Sequence, residues 1–509
     1  MHINTSRKYT KQKKKMEVIN TKLQLFNVAL LVIATFIAAI ITKWAFKTPI
    51  KSSKHLPPPV VKGRLPLIGG LLRFVTNPTK MLTEEYENLG SVFTLNVFNK
   101  NFTFLLEPDV IGHFFNAPER ELSEREVNGF TVPIFGPGVM YDVDHDIRQE
   151  QFRFFKEALR INKLKGFVDI MHQEVQDFFS KWGDNGEVDL KAELEHLVLI
   201  IASRCFIGQE VRDSLVDNID TLLNDINSVW IPITMIFPYL PVPIHRRRDK
   251  ARKKLGDLLS NIMKSRKSFG RFENDMLQTL LECKYKDGRA TTVKEITGLL
   301  ITAIYGSRRP SVAISTMTGA NLLHHNKKYW IAALEEQTSI MKKHGNTIDY
   351  DVLSEMQVLY RCVKETLRLH PPISLLLRKS HADFDVITRQ GKKFGIPRDH
   401  MIFTSAAITN RLPYIYKDPN NYDPERFTLG RDEDKLAGPL SFISFGGGRH
   451  SCLNEPFAYL EMKTIWSYLL RNFELELISP FPETEYNDIV SDVKGKVIVR
   501  YNRRNLVID

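Results

Sequence analysis

The sequence predicts a globular protein built around long buried helices and tethered to a membrane at its N-terminus, on three observations. The 509 residues are 43% hydrophobic and 26% charged, enough to bury a large core and unlike a disordered or fibrous chain. An uncharged run near the start is long enough to cross a bilayer. Farther on, helical patterns recur, the longest of them a mostly apolar stretch from Thr297 to Leu323. No internal repeat or low-complexity block marks a boundary, so the length admits two to four domains or one large body behind a short appendage.

Residues 1–22 are a basic segment containing Arg7, Lys8, Lys11, Lys13, Lys14 and Lys15. Residues 23–42, LQLFNVALLVIATFIAAIIT, carry no charge and match the roughly 20 residues that span a hydrocarbon core, which predicts a transmembrane anchor. The run is too long for a signal peptide and lacks a small-residue cleavage site. Residues 43–64 bring Lys43, Lys47, Lys51 and Lys54, then Pro57, Pro58 and Pro59, a stiff spacer between membrane and body. The positive-inside rule places this side in the cytosol, with the cationic cluster before the span as its rival. A start at Met16 removes that rival and leaves only Lys22 ahead of the span.

The formal charge of +12 is concentrated in Arg7 to Lys15 and in HRRRDKARKK, His245 to Lys254. Neither run is interleaved with the aromatic residues or motifs of a nucleic-acid reader, and the second reads as a solvated helix face. Cys205, Cys283, Cys362 and Cys452 stand far apart with no CxxC pair, which excludes a disulfide framework and a cysteine-rich zinc site and points to a reducing compartment.

Three stretches carry chemistry. In TGLLITAIYGSRRPSVAISTMTGANLL, residues 297–323, Arg308, Arg309 and Pro310 interrupt the apolar run, and a mid-helix proline costs about 3 kcal/mol in an ordinary helix. In LYRCVKETLRLHPP, Glu365 and Arg368 lie three apart on one helix face. In FISFGGGRHSCLNEPFAYLEMKTIW, residues 442–466, Gly446, Gly447 and Gly448 allow close approach of backbone to a large flat ligand, and Cys452 opens a helix beside Arg449 and His450. A helix N-terminus and neighbouring cations favour a thiolate there.

The context Phe445-Gly-Gly-Gly-Arg-His-Ser-Cys452 resembles the haem-binding signature of the cytochromes P-450, Glu365 and Arg368 resemble that family's ExxR pair, and Arg426 in YDPERF its third partner. Stretches such as LPPPVVKGRLPLIGGLLRF, VPIFGPGVMYDVD and RQEQFRFFKEALR are similar to the plant sterol 14α-demethylase branch. The resemblance implies a mainly α fold with small β-sheets, in which residues 65–509 form one haem-thiolate catalytic domain. It implies haem b with Cys452 as the iron's thiolate ligand, which promotes O–O cleavage, and a charge-assisted lock of Glu365, Arg368 and Arg426. Phe445 and Gly446 would border the haem, and His450, Arg378 and Arg148 would meet its propionates.

The implied reaction is NADPH- and oxygen-dependent removal of the 14α-methyl group of a sterol such as obtusifoliol. Its partners would be a membrane-bound flavoprotein reductase and the endoplasmic reticulum membrane, with no nucleic acid. WIPITMIFPYLPVP, Trp230 to Pro243, would line a membrane-side substrate entrance or simply form a buried loop and helix start.

Two departures stand out against that branch. The distal-helix segment that reads A-G-Q-H-T-S in relatives is Gly306, Ser307, Arg308, Arg309, Pro310, Ser311 here. Arg309 replaces a histidine and cannot shuttle protons near neutral pH, and Pro310 replaces a threonine whose hydroxyl helps deliver protons. A local bulge in this helix would ease the proline, and Ser307 or Ser311 would take over the hydroxyl role. On the substrate wall, Asn128 replaces a tyrosine while Phe130 and Phe135 match. The alternatives are therefore a diverged triterpenoid oxidase, or a haem-thiolate isomerase or low-activity haem protein that needs no oxygen-activation protons.

Overall fold

The computed structural model describes residues 55–62, 69–97, 100–211, 216–227, 234, 237–324, 327–485 and 490–504. The expected anchor at 23–42, the basic segment and most of the linker lie outside these residues. Among the described residues, no helix is long and apolar enough to cross a membrane.

The helices that frame the site are α1 (Pro108–Asn116), α2 (His145–Ala158), α3 (Leu190–Phe206), α4 (Pro243–Phe269), α5 (Val293–His324), α6 (Gln357–Leu369) and α7 (Glu455–Asn472). α5, with 32 residues and a length of roughly 48 Å, is the axis of the body. It is apolar nearly all round because α3, α6 and α7 pack against it on different sides. Two glycines set how close these neighbours come. A Cβ on Gly319 would lie 2.2 Å from Trp466 of α7, and one on Gly298 would lie 2.5 Å from the Phe135 carbonyl oxygen.

α5 runs unbroken through Pro310, so the expected bulge does not interrupt it. Proline withholds only the N–H that would meet the Gly306 carbonyl. Gly306 is exposed, so that carbonyl is not sealed in apolar surroundings, where the penalty would be largest. Burial of the flanking turns, from Leu299 to Ile304 and from Ser311 to Leu323, fixes the helix on both sides.

A five-stranded sheet forms the other wall. Its strands are β1 (Val92–Val97), β2 (Lys100–Leu105), β3 (Leu122–Ser123), β4 (Leu375–Ser380) and β5 (Met401–Ser405), in the order β1-β2-β5-β4-β3. The β2–β5 pairing is parallel, with Phe104 opposite Phe403, and almost the whole helical body forms its crossover. β3 and β4 pair antiparallel with Ser123 opposite Lys379. Continuing that register by one residue sets Glu124 against Arg378. Among the described residues, three smaller sheets complete a mainly helical fold.

The basic run lies on α4 and divides by face. Arg246, Arg247, Lys250, Lys253 and Lys254 are exposed, whereas His245 and Arg248 turn inward. His245 bonds Thr234 at 2.9 Å and the Leu240 carbonyl at 2.7 Å, and Arg248 donates to the Pro238 carbonyl. The solvated-face expectation therefore holds for five cations, while two other residues of the run pin the preceding loop.

Gly319→Ala should lower stability by about 1–3 kcal/mol through overpacking against Trp466. Gly306→Ala, whose added methyl meets nothing within 4 Å, should instead gain about 0.5–1 kcal/mol of helix propensity. Thermal denaturation of the two variants checks both signs.

Candidate active site

α5 and the loop that precedes α7 face each other across a cavity of about 200 Å³. From α5 it is lined by Gly306, Ser307, Pro310, Ser311 and Ile314, and from the loop by Ile443, Ser444, Phe445, Gly446, His450 and Cys452. The α5 residues follow the spacing of one helical face. Arg308 and Arg309 point elsewhere for the same reason. Arg308 pairs with Asp220 at 2.6 Å, and Arg309 has its guanidinium 3.9 Å from Asp492. Arg309, expected among the distal catalytic residues, is thus off the cavity, while Pro310, Ser307 and Ser311 are on it.

The glycine loop folds back on itself. Gly446 has a φ of +75°, and an added Cβ would lie 2.6 Å from the His450 carbonyl oxygen, so no other residue closes this turn without displacing backbone. The Cys452 N–H then donates to the Phe445 carbonyl at 2.8 Å, and the Phe445 ring tilts against Tyr459. The glycine requirement comes first from this closure rather than from a flat ligand. The Cys452 side chain is open to the cavity, yet the protein around it raises the thiol by desolvation, and hydrogen bonds from the backbone N–H groups of Asn454 and Glu455 act against that rise. The expected help from Arg449 and His450 is missing: Arg449 is exposed and His450 is turned to a carboxylate.

That carboxylate is Glu124, delivered by the β3–β4 register. It bonds Arg378 Nη2 at 2.8 Å and His450 Nδ1 at 2.9 Å. Burial pushes the Glu124 carboxyl up, but the His450 hydrogen bond and the charges of Arg378, His450 and Arg148 outweigh it and hold the group down at about 2. Arg148, only 2% exposed, pairs with Glu119 at 2.7 Å and leaves Nε and Nη1 without hydrogen-bond partners. The three residues expected around an anionic ligand are therefore gathered about one acid, and of the three only His450 lines this cavity. Glu124 escapes sequence reasoning because PERELSEREV offers four glutamates, and only strand register tells which one faces inward.

Glu365, Arg368 and Arg426 are all buried to within 1%. Arg368 forms a two-pronged pair with Glu365 at 2.7 and 2.8 Å, and Arg426 Nε reaches the same carboxylate at 3.1 Å. The remaining guanidinium hydrogens go to the carbonyls of Asn410, Pro419, Asn421 and Asp418 and to Glu433. An ion pair this dry holds only with such full coordination.

The expected substrate wall is placed differently. Asn128, Phe130 and Phe135 do not line this cavity. Asn128 donates its amide to the Glu124 carbonyl at 3.0 Å, a local helical bond that turns it away. Phe135 sits edge-on to Tyr305 of α5. A second residue that sequence reasoning missed is Glu461 of α7, fully buried, with both carboxylate oxygens lacking a hydrogen bond. An acid between Leu460 and Met462, on a helix apolar on most sides, is a readable signal of a buried carboxyl.

Glu365→Ala leaves Arg368 and Arg426 buried without their carboxylate and should cost on the order of 3–5 kcal/mol. Urea denaturation, together with the yield of folded protein, measures this loss.

Comparison with known proteins accounts for the arrangement. The sequence pattern of the family Cytochrome P-450 matches residues 57–497. The chain is 55% identical over 488 residues to the sterol 14-demethylase of Arabidopsis thaliana, covering 96% of this chain and 99% of that protein. It is 55% identical over 453 residues to the obtusifoliol 14-alpha demethylase of Triticum aestivum, covering 89% and 100%. The fold superposes on the retinoic-acid-bound cyanobacterial CYP120A1 with a TM-score of 0.74 at 22% identity, over 89% of this chain and 100% of that one. The cavity between α5 and the cysteine loop thus belongs to a haem-thiolate monooxygenase, and the chain is a member of the cytochrome P-450 family, in the branch that holds the sterol 14-demethylases.

Proposed function

We propose that the cavity holds haem b, with Cys452 as the thiolate ligand of the iron, and that the protein removes the 14α-methyl group of a plant sterol such as obtusifoliol. The observation that carries this reading is the placement of Cys452 opposite Ser307, Pro310 and Ser311 across one cavity, in a chain 55% identical to plant 14-demethylases. When bound, haem supplies the oxygen-activating chemistry, with electrons from NADPH through a membrane-bound flavoprotein reductase.

The residues fit such a group. Arg148 has two buried N–H groups without partners, the kind of donor a propionate oxygen satisfies. Arg378 and His450 would meet the second acidic group while already bonded to Glu124. Ile314, Leu367, Ile373, Leu376 and Met462 give the cavity apolar walls that exclude water around a sterol. The amides of Asn454 and Glu455 steady the sulfur. Ser307 and Ser311 replace the missing threonine hydroxyl, the former already donating to the Ile304 carbonyl at 3.2 Å.

Residues 65–509 are the catalytic domain in this reading, behind the basic segment 1–22, the anchor 23–42 and the linker 43–64. The anchor holds the domain on the cytosolic face of the endoplasmic reticulum. Phe237, Tyr239 and Leu240, exposed by 57%, 68% and 40% just ahead of α4, support a membrane-facing surface there.

Microsomes containing the protein and a plant reductase, fed obtusifoliol, should yield a 14-demethylated sterol by mass spectrometry only when NADPH is present. A haem-loaded sample that gives no product would transfer the assignment to triterpenoid oxidation or isomerisation. Cys452→Ala should abolish the thiolate-type absorption band of the reduced carbon monoxide complex. Replacing both Ser307 and Ser311 by alanine should cut product on the order of 100-fold and raise hydrogen peroxide release, and unchanged values would exclude these serines from proton delivery.

A further inference from the structure

We infer that Glu124 competes from within the protein for the donors of the anionic ligand: its carboxylate occupies Arg378 and His450, which the reading above gives to the second acidic group of haem, and so loosens the hold of this chain on haem. The inference rests on that reading. Glu124 directly follows β3, and the pairing of Ser123 with Lys379 sets it against Arg378. One oxygen makes both contacts: Glu124 Oε1 accepts from Arg378 Nη2 at 2.8 Å and from His450 Nδ1 at 2.9 Å. Arg378, only 2% exposed, gives its other terminal nitrogen to the Phe114 carbonyl and lays its guanidinium over the Phe114 ring. His450 lines the cavity with Cys452, so the acid bears on the cavity wall through the imidazole.

The charges set the sign of the effect. Arg148 pairs with Glu119 at 2.7 Å and Arg378 with Glu124, so apart from His450 the cations and acids of the cluster already cancel. A ligand that brings two carboxylates then meets no positive charge beyond that of one imidazole, and Glu124 repels it at close range. Glu124 does not escape by taking a proton. Burial pushes its carboxyl up, but the His450 hydrogen bond and the charges of Arg378, His450 and Arg148 hold it down at about 2. Hydrogen bonding alone does not call for an acid here, because a glutamine at this position offers the same Oε1 to both nitrogens without the charge. What the carboxylate adds is compensation for the buried Arg378 before the ligand binds, and rivalry with the ligand afterwards.

The test uses the full-length, haem-loaded protein. Mixed with an excess of apomyoglobin as haem acceptor, Glu124→Gln should lose haem about tenfold more slowly than the native protein, a rate read from visible absorbance. Loss at the native rate or faster would overturn the proposal, and faster loss is what a merely structural Glu124 predicts. The propionate bending bands of resonance Raman spectra should shift between the native protein and Glu124→Gln, and identical bands would count against the assignment. If Glu124→Gln yields no folded protein, the native chain decides. Loaded with the ferric dimethyl ester of protoporphyrin, which has no acidic group, it should lose the porphyrin no more than about tenfold faster than it loses haem. A larger gap would mean that the acids are held firmly despite Glu124, and the proposal would fall. None of these readouts needs a sterol or turnover. A protein whose reduced carbon monoxide complex lacks the thiolate-type band fails the reading of the cavity, whereas one that shows the band and loses haem equally fast in both forms fails this inference alone.

Discussion

Everything around the cavity hangs on the carboxylate of Glu365. Two guanidiniums and the Asp423 N–H converge on it, and the contacts continue outward in a chain. Arg368 donates to the Asn410 carbonyl at 3.0 Å; the Asn410 side chain accepts from the Ile443 N–H at 3.0 Å and donates to Ser444 Oγ at 2.8 Å; Ser444 in turn donates to the Leu367 carbonyl of α6. Ile443 and Ser444 open the loop that ends at Cys452. The ion pair is therefore less a source of net stability than a means of fixing one geometry, since a buried pair roughly cancels its own desolvation. Its product is the position of a sulfur atom some ninety residues away in sequence.

What the sequence discloses follows from how local each constraint is. Cys452, Gly446, Glu365 and Arg368 are legible because short spacings on a loop or a helix carry their geometry. Arg426 needed the family resemblance, because its partner lies 61 residues away in the chain. The displacement of Arg309 from the cavity follows from helical spacing, since positions 306, 307, 310, 311 and 314 share a face that excludes 308 and 309. Asn128 lies off this cavity, its side-chain amide given to the nearby Glu124 carbonyl as short polar side chains on helices often do. Glu124 depends on strand register, a non-local fact. The anchor at 23–42 lies outside the described residues and rests on its uncharged length.

The cation cluster has its own electrostatic logic. Arg148, Arg378 and His450 suit a ligand with two acidic groups, yet Glu119 and Glu124 already answer part of that charge. Glu119 and Glu124 keep Arg148 and Arg378 from standing as uncompensated buried charges before a ligand arrives. Glu124 also weakens the pull on any incoming carboxylate, because the same Arg378 and His450 donors must serve both.

Pro310 removes two things from α5: a side-chain hydroxyl and a backbone donor. The second loss has a positive side. Without an N–H at position 310, the Gly306 carbonyl has no partner four residues on, and Gly306 lines the cavity with nothing crowding it. One turn of helix thus brings Gly306, Pro310 and Ser311 to the cavity. In the reading proposed above, the hydroxyls of Ser307 and Ser311 answer the loss of the threonine. Arg308 and Arg309 take no part, because their ion pairs with Asp220 and Asp492 draw them to the outer side of the helix. The triplet that looks like damage in the sequence divides by face: two arginines that tie α5 to its neighbours, and a proline that lines the cavity.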